Sequence, residues 1–241
     1  MIIRKKSYCF SKDTNKEFMK IKEIILEFDG TEIRNSDIPK FRGYISRKYP
    51  NYDIIHNHLK DGSFRYSYPL IQFKTIDHKP AIIGINEGIE LLKKVFMEIE
   101  DIQIGDRRKV INEKSILLKE EEFGTADDFI DYSFLSPWMS LNQENYNKYN
   151  RMNRYDQMAF LKHILRENLK TISKGFGYTI PDIDMVKVDG RFTGKTVNFK
   201  NIEMLCFVGS FITNFHIPEY LGIGKQVARG FGMVGKFQDA S

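Results

Sequence analysis

The sequence predicts an α+β protein whose first half follows the split βαβ, ferredoxin-like plan. Two observations predict it. Apolar patterns run strand, helix, strand, strand, helix, strand through about residue 105. The chain is also rich in ring residues, with 19 Phe and 12 Tyr in 241 residues, which suits a packed, strand-containing core. Residues 1–18 are polar and aperiodic and read as an extension. Lys20 to Phe28 reads as a strand closed by the turn dipeptide Asp29-Gly30. Ser36-Asp37-Ile38-Pro39 starts a helix, with Phe41, Tyr44 and Ile45 at helical spacing and Pro50 as its stop. Residues 51–68 are polar, aromatic and loop-like. Leu70 to Lys74 and Ala81 to Ile85 are strands around a turn at Asp77–Pro80. In residues 87–99, Ile89, Leu92, Val95, Phe96 and Ile99 share one helical face. Short strands follow in 102–119. Such a sheet leaves one face free when helices cover the other, and RNA-binding modules of the RRM type use such a face.

The acidic run Glu120-Glu121-Glu122 before Gly124 marks a boundary between two units, 19–122 and 123–241. Residues 129–141 read as a strand ending near Pro137. The longest helical pattern, 143–174, has an early break. Its buried stripe is Met158, Leu161, Leu165, Leu169 and Ile172. Lys162, Arg166, Lys170 and Lys174 form a second, basic stripe, with Arg151 and Arg154 upstream. That stripe reads as a solvated face or as a binding face. Gly175-Phe176-Gly177 ends the helix. Strands over 183–190, 195–200 and 203–215 are joined by turns at Asp189-Gly190 and Lys200-Asn201.

Hydrophobic residues make up 41% of the chain and charged residues 29%, a soluble globular balance. No apolar run reaches membrane-span length, and the basic start Met1-Ile2-Ile3-Arg4-Lys5-Lys6 lacks the apolar stretch of a signal peptide. Cys9 and Cys206 give neither a disulfide framework nor a metal spacing. These features predict a cytoplasmic protein. The net charge is +5, and all of the excess lies in residues 151–241, which hold 13 Lys and Arg against 8 Asp and Glu. Such a patch draws polyanions, chiefly nucleic acid.

The same region contains Gly222-Ile223-Gly224-Lys225-Gln226-Val227-Ala228-Arg229-Gly230-Phe231-Gly232, with four of the 17 glycines. Closely spaced glycines with exposed amides can cradle a phosphate. A P-loop would need Ser or Thr after Lys225, and a dinucleotide fingerprint would need a third glycine and a distant acid. Both are missing, so no nucleotide cofactor is expected. The candidate phosphate-backbone contacts are Gly222, Gly224, Lys225, Arg229, Gly230 and Gly232, with Arg151 and Arg154.

A second concentration of reactive groups is His56-Asn57-His58, followed by Lys60, Arg65, Tyr66 and Tyr68. Two histidines two apart on an extended segment face the same side. They can be metal ligands, although no further ligand sits nearby at suitable spacing. They can be loop histidines packing aromatic neighbours. They can also be acid and base for RNA cleavage, in which the 2′-OH is the nucleophile and Lys60 or Arg65 steadies the phosphorane.

The glycine loop resembles that of the CRISPR-associated endoribonucleases that process precursor CRISPR RNA, in the repeat-associated RNA-binding superfamily. Phe41-Arg42-Gly43-Tyr44, His56-Asn57-His58, Tyr66-Ser67-Tyr68-Pro69-Leu70-Ile71-Gln72-Phe73-Lys74, Ile83-Gly84-Ile85-Asn86-Glu87-Gly88 and Ser136-Pro137-Trp138-Met139-Ser140-Leu141-Asn142 resemble one subgroup of it. The resemblance covers most of residues 20–235. It implies tandem ferredoxin-like domains and metal-independent cleavage, leaving a 5′-hydroxyl and a 2′,3′-cyclic or 3′-phosphate. It also implies CRISPR repeat RNA as partner, no cofactor, and catalytic roles for His56, His58 and Tyr66, with Tyr68 as the competing tyrosine. Homodimers and association with other CRISPR effector subunits fit the same family. Two alternatives are an inactive RNA-binding subunit of an interference complex and a metal-dependent DNA nuclease.

Overall fold

The computed structural model describes residues 18–56 and 68–237. The extension predicted over 1–18 lies almost wholly outside them. Strand β1 (Phe18–Asp29) leads through a single 3-10 turn into helix α1 (Ile38–Lys48), which has Pro39 in its first turn. A four-residue helix α2 (Asp53–His56) follows within the segment expected to be loop. Strands β2 (Ile71–Ile76) and β3 (Lys79–Ile85) form a hairpin. Both of its turn residues, Asp77 and His78, have positive φ (47° and 65°), the turn whose twist matches a hairpin. Helix α3 (Gly88–Glu98) precedes a small hairpin of β4 (Asp101–Ile104) and β5 (Arg107–Val110). Asp101 ties that hairpin to α1 through Tyr44 and Lys48.

The strand predicted near residue 102 is therefore outside the main sheet. Its place is taken by β6 (Glu113–Phe134), 22 residues long. The first unit reads β2-β3-β1-β6, all antiparallel, which is the ferredoxin-like order. The acidic run Glu120–Glu122 is part of β6, opposite Lys22, Ile21 and Lys20 of β1.

The same strand opens the second unit. After β6 come α4 (Gln143–Tyr149) and α5 (Arg154–Phe176), separated by the expected break. Asn153 caps α5 by accepting from the amides of Tyr155 and Asp156, and Gly177 ends it in the left-handed region. Strands β7 (Val188–Phe199), β8 (Ile202–His216) and β9 (Val234–Lys236) complete it. Around β6 the order is β9-β6-β8-β7, again ferredoxin-like. The glycine-rich segment stands where the second helix of that plan would be. Asp189-Gly190 is not the expected turn: it lies inside β7, where a Cβ on Gly190 would come 2.7 Å from the Cβ of Phe211. A single-residue glycine requirement on a strand produced the same dipeptide as a hairpin turn.

Alternation along β1 to β3 separates two cores. Ile24, Leu26, Phe28, Phe73 and Ile82 face α1 and α3. Ile25, Leu70, Ile83 and Ile85 face the other way, into a core shared with Phe123, Trp138, Leu165, Ile223 and Val227 of the second unit. The sheet face expected to be free is thus covered by the second unit. Burying that much apolar surface is favourable at about 25 cal/mol per Å², which an open RNA-binding face would forgo.

Candidate functional site

Gln72 and Lys74 share the covered face of β2, and Tyr68 lies just ahead of the strand. All three are buried and meet the glycine segment. The Tyr68 hydroxyl donates to the carbonyl of Gly222 at 2.5 Å. Gln72 donates to the Tyr68 oxygen at 2.8 Å and accepts from the Gly222 amide at 3.0 Å. The Lys74 Nζ reaches the carbonyls of Val227 and Phe231 at 3.3 and 3.4 Å. Burial lowers the Lys74 pKa to about 7. On the same face, burial raises the Glu23 carboxyl to about 7, against the pull of Lys119 at 3.3 Å.

The glycines allow this docking. A Cβ on Gly222 would sit 2.8 Å from both Gln72 Oε1 and Lys74 Nζ. A Cβ on Gly232, whose φ is +64°, would sit 1.9 Å from the carbonyl of Ile223. The Gly222 amide donates to Gln72, that of Gly230 to Val227 and that of Gly232 to Pro137. Three of the four glycines therefore spend their N–H groups inside the protein. What the segment turns outward is side chains: Lys225 is exposed and Arg229 half-buried. Partial burial lowers the Lys225 ammonium pKa.

Arg229 bridges to Phe73 of β2 and hydrogen-bonds Gln226. It also comes near Arg42 of α1. Arg42 donates from Nη2 to the carbonyl of Ile55 at 2.8 Å, within α2 and one residue before His56. Burial, and then the charge of Arg229, pull the Arg42 guanidinium down to about 10. Its buried Nε has no hydrogen-bond partner among the described residues. Among the described residues neither arginine has a carboxylate partner. Two neighbouring guanidiniums without a carboxylate partner among the described residues suit an anion.

The backbone of His56 ends α2 beside this pair, and nothing is described of its side chain. His58 and Tyr66, with Lys60 and Arg65, lie outside the described residues. Tyr68 is described: it is buried, its hydroxyl is committed to the glycine segment, and burial drives its pKa far above the tyrosine norm. A buried phenol bonded to backbone is a structural group rather than a free acid or base.

The basic stripe of α5 is arranged differently. Lys162 pairs with Asp189 at 2.5 Å, Arg166 with Asp184 at 3.6 Å and Lys170 with Glu167 at 4.0 Å. Arg151 and Arg154 are exposed, and among the described residues neither bonds the glycine segment. No cluster of three or more His, Cys, Asp or Glu that could hold a metal occurs among the described residues. No helix among them is long and apolar enough to cross a membrane. Sequence reasoning missed Arg42 and Lys74 as parts of this site. The visible signal for Lys74 was a polar pair, Gln72 and Lys74, at strand spacing in an apolar run. The signal for Arg42 was its place in the Phe41-Arg42-Gly43-Tyr44 motif, to which no role was given.

Comparison with known proteins agrees with the fold. The family model described as the Cas6b N-terminal domain matches residues 19–122, and that of the Cas6b C-terminal domain matches 124–237. A crystal structure of Cas6b aligns with a TM-score of 0.86 and 38% identity, covering 91% of this chain and all of that one. A crystal structure of the CRISPR RNA processing endoribonuclease Cas6b aligns at 0.74 and 35% identity over the same shares. A type IV CRISPR-Cas Cas6 crRNA endonuclease, 11% identical with a TM-score of 0.55, shares the fold. Among curated sequences, an uncharacterized protein of Methanocaldococcus jannaschii is 34% identical over 145 residues, 58% of this chain and 95% of its own length.

Proposed function

This chain belongs to the Cas6b family, and from that premise we propose that it is an endoribonuclease that cuts the repeats of precursor CRISPR RNA without a metal ion. The observation that carries this reading is the meeting of Arg42 and Arg229 beside α2, the helix that ends in His56. The two family models meet between residues 122 and 124, which supports dividing the chain into a catalytic unit, 19–122, and an RNA-holding unit, 123–241.

In the proposed reaction a base takes the proton of the 2′-OH, and the 2′-oxygen attacks the adjacent phosphorus. An acid protonates the departing 5′-oxygen. The products are a 2′,3′-cyclic phosphate, which water can open to a 3′-phosphate, and a 5′-hydroxyl. His56 and His58 are the acid and base, a contribution of about 10²–10⁴-fold. Tyr66 orients the phosphate, because Tyr68 is occupied in holding Gly222. Arg42 and Arg229 neutralise the charge that grows on the non-bridging oxygens. Gly222, Gly224, Gly230 and Gly232 shape the loop, and Lys225 joins Arg229 on the RNA backbone. Arg151 and Arg154, exposed and free of ion pairs among the described residues, extend that backbone contact.

The test is cleavage of repeat RNA from the host's array in excess EDTA, with and without a single 2′-deoxy before the scissile phosphate. Cleavage that persists in EDTA and stops at the 2′-deoxy substrate is expected. His56→Ala and His58→Ala should lower the single-turnover rate by about 10²-fold or more with little change in affinity. Binding without any cleavage would point to an inactive RNA-binding subunit. Activity restored by a divalent ion would overturn the mechanism.

A further inference from the structure

A cavity of about 520 Å³ opens between the N-terminal end of α1, the β7–β8 hairpin tip and the glycine segment. That volume is in the range of sites that enclose small ring molecules. Its apolar side is built on Phe199 and Phe231, which meet edge to face at 5.4 Å. Its rim carries Lys40, Lys200 and Arg229, and none of these has a carboxylate partner among the described residues. Aromatic wall and cationic residues are the complements of a nucleotide's flat base and its phosphate.

We propose that this cavity is a nucleobase subsite for one unpaired nucleotide of the RNA, with the phosphate of that nucleotide on Arg229. The inference rests on the RNA-cleaving reading of the protein and adds a register to it. Arg229 lines the cavity and also approaches Arg42 beside α2. A base seated against Phe199 therefore places its own phosphate, or the next, at the paired guanidiniums. Lodging one base would set which phosphodiester meets the catalytic groups. Charge complementarity selects a strand over an apolar ligand, because three cations with no carboxylate partner among the described residues, one of them Lys200 at 5.8 Å over the Phe199 ring, favour a polyanion with exposed rings.

An abasic scan tests this. Each nucleotide around the cut is replaced in turn by an abasic residue, and binding and single-turnover cleavage are measured with wild-type protein and Phe199→Ala. In wild type one position should lose about 5- to 100-fold, the span expected for losing a base–aromatic stack. In Phe199→Ala that position should become insensitive while its neighbours respond as before. Lys200→Asn suits the left-handed turn position (φ 54°), so it serves as a second variant; its salt slope of binding should fall by about one. A flat scan with active wild type would sink the subsite and leave the cleavage reading intact. A position-sensitive binding scan without cleavage would do the reverse. Competition by free nucleoside monophosphates below millimolar would make the cavity a cofactor site and overturn the proposal.

Discussion

The two cationic regions of this molecule differ in what balances them. On α5, Lys162, Arg166 and Lys170 each have a carboxylate partner, two of them on the segment that leads into and begins β7, and of the stripe only Lys174 has none among the described residues. At the glycine segment, Arg229 lies close enough to Arg42 for its charge to help lower the Arg42 guanidinium to about 10, with no carboxylate partner for either among the described residues. The α5 stripe has the greater number of charges and the more regular spacing. The arginine pair has the unmet electrostatic demand. Positive charge marks a binding site where folding leaves it uncompensated, and not simply where the sequence concentrates it.

The largest expected effect sharpens that contrast. Arg42→Ala or Arg229→Ala should lower single-turnover cleavage by about 10²–10³-fold, the usual loss when a transition-state charge stabiliser is removed. Arg229→Lys should recover part of it, and unchanged melting curves would exclude misfolding. Lys162→Ala and Arg166→Ala in the same assay should change the rate less than about twofold, because their charges are already paired. If α5 variants cost as much as Arg42→Ala, the contrast is wrong.

Lys74 is a third kind of cation, buried and bonded to backbone. Lys74→Met should cost about 2–4 kcal/mol in denaturant unfolding, since it strips the carbonyls of Val227 and Phe231 of a donor inside the core. Gly232→Ala should be at least as damaging, because its methyl would meet the Ile223 carbonyl in a left-handed backbone. Unfolding curves superimposable on wild type would show that the segment is not clamped as described.

Glu23 gives a pH signature on the same face. Folded, it keeps its proton up to about pH 7, whereas the unfolded chain releases it near the ordinary value of 4.5. Between those pH values the folded state binds more protons, so stability falls as pH rises. Glu23→Gln removes that fall. The variant should therefore gain on wild type by on the order of 1–3 kcal/mol between pH 4.5 and 7. A difference that stays constant across this window would contradict it. The smallest effect belongs to the exposed pair of Lys162 and Asp189, whose removal should change stability by about 1 kcal/mol or less.

Much of the fold was legible because it rests on local rules. The βαββα order through residue 99, the Lys200-Asn201 turn, the break before Arg154 and the Gly177 stop all follow from patterns within a few residues. The errors arise where long-range pairing decides. β6 looked like two elements around a linker because an acidic run and Gly124 are local breakers. Their pairing with β1 and β8 overrides that. The free sheet face was misjudged because the ferredoxin-like plan by itself leaves that face open, and Gln72 and Lys74 on it gave no sign of being buried. Their partners lie some 150 residues away in the glycine segment. The glycine motif itself was visible, but its amides could not be assigned without knowing which carbonyls they would find.

The long strand β6 has a mechanical consequence. Residues 113–124 pair with β1 of the first unit, and residues 124–134 pair with β8 and β9 of the second. At about 3.3 Å per residue, its 22 residues form a beam of roughly 70 Å. The two halves are therefore joined through one shared strand, whose register shifts between Thr125 and Ile130, where pairing passes from β1 to β8. With Ile25, Ile83, Trp138 and Leu165 in one core, a change of angle along β6 would have to shear that packing.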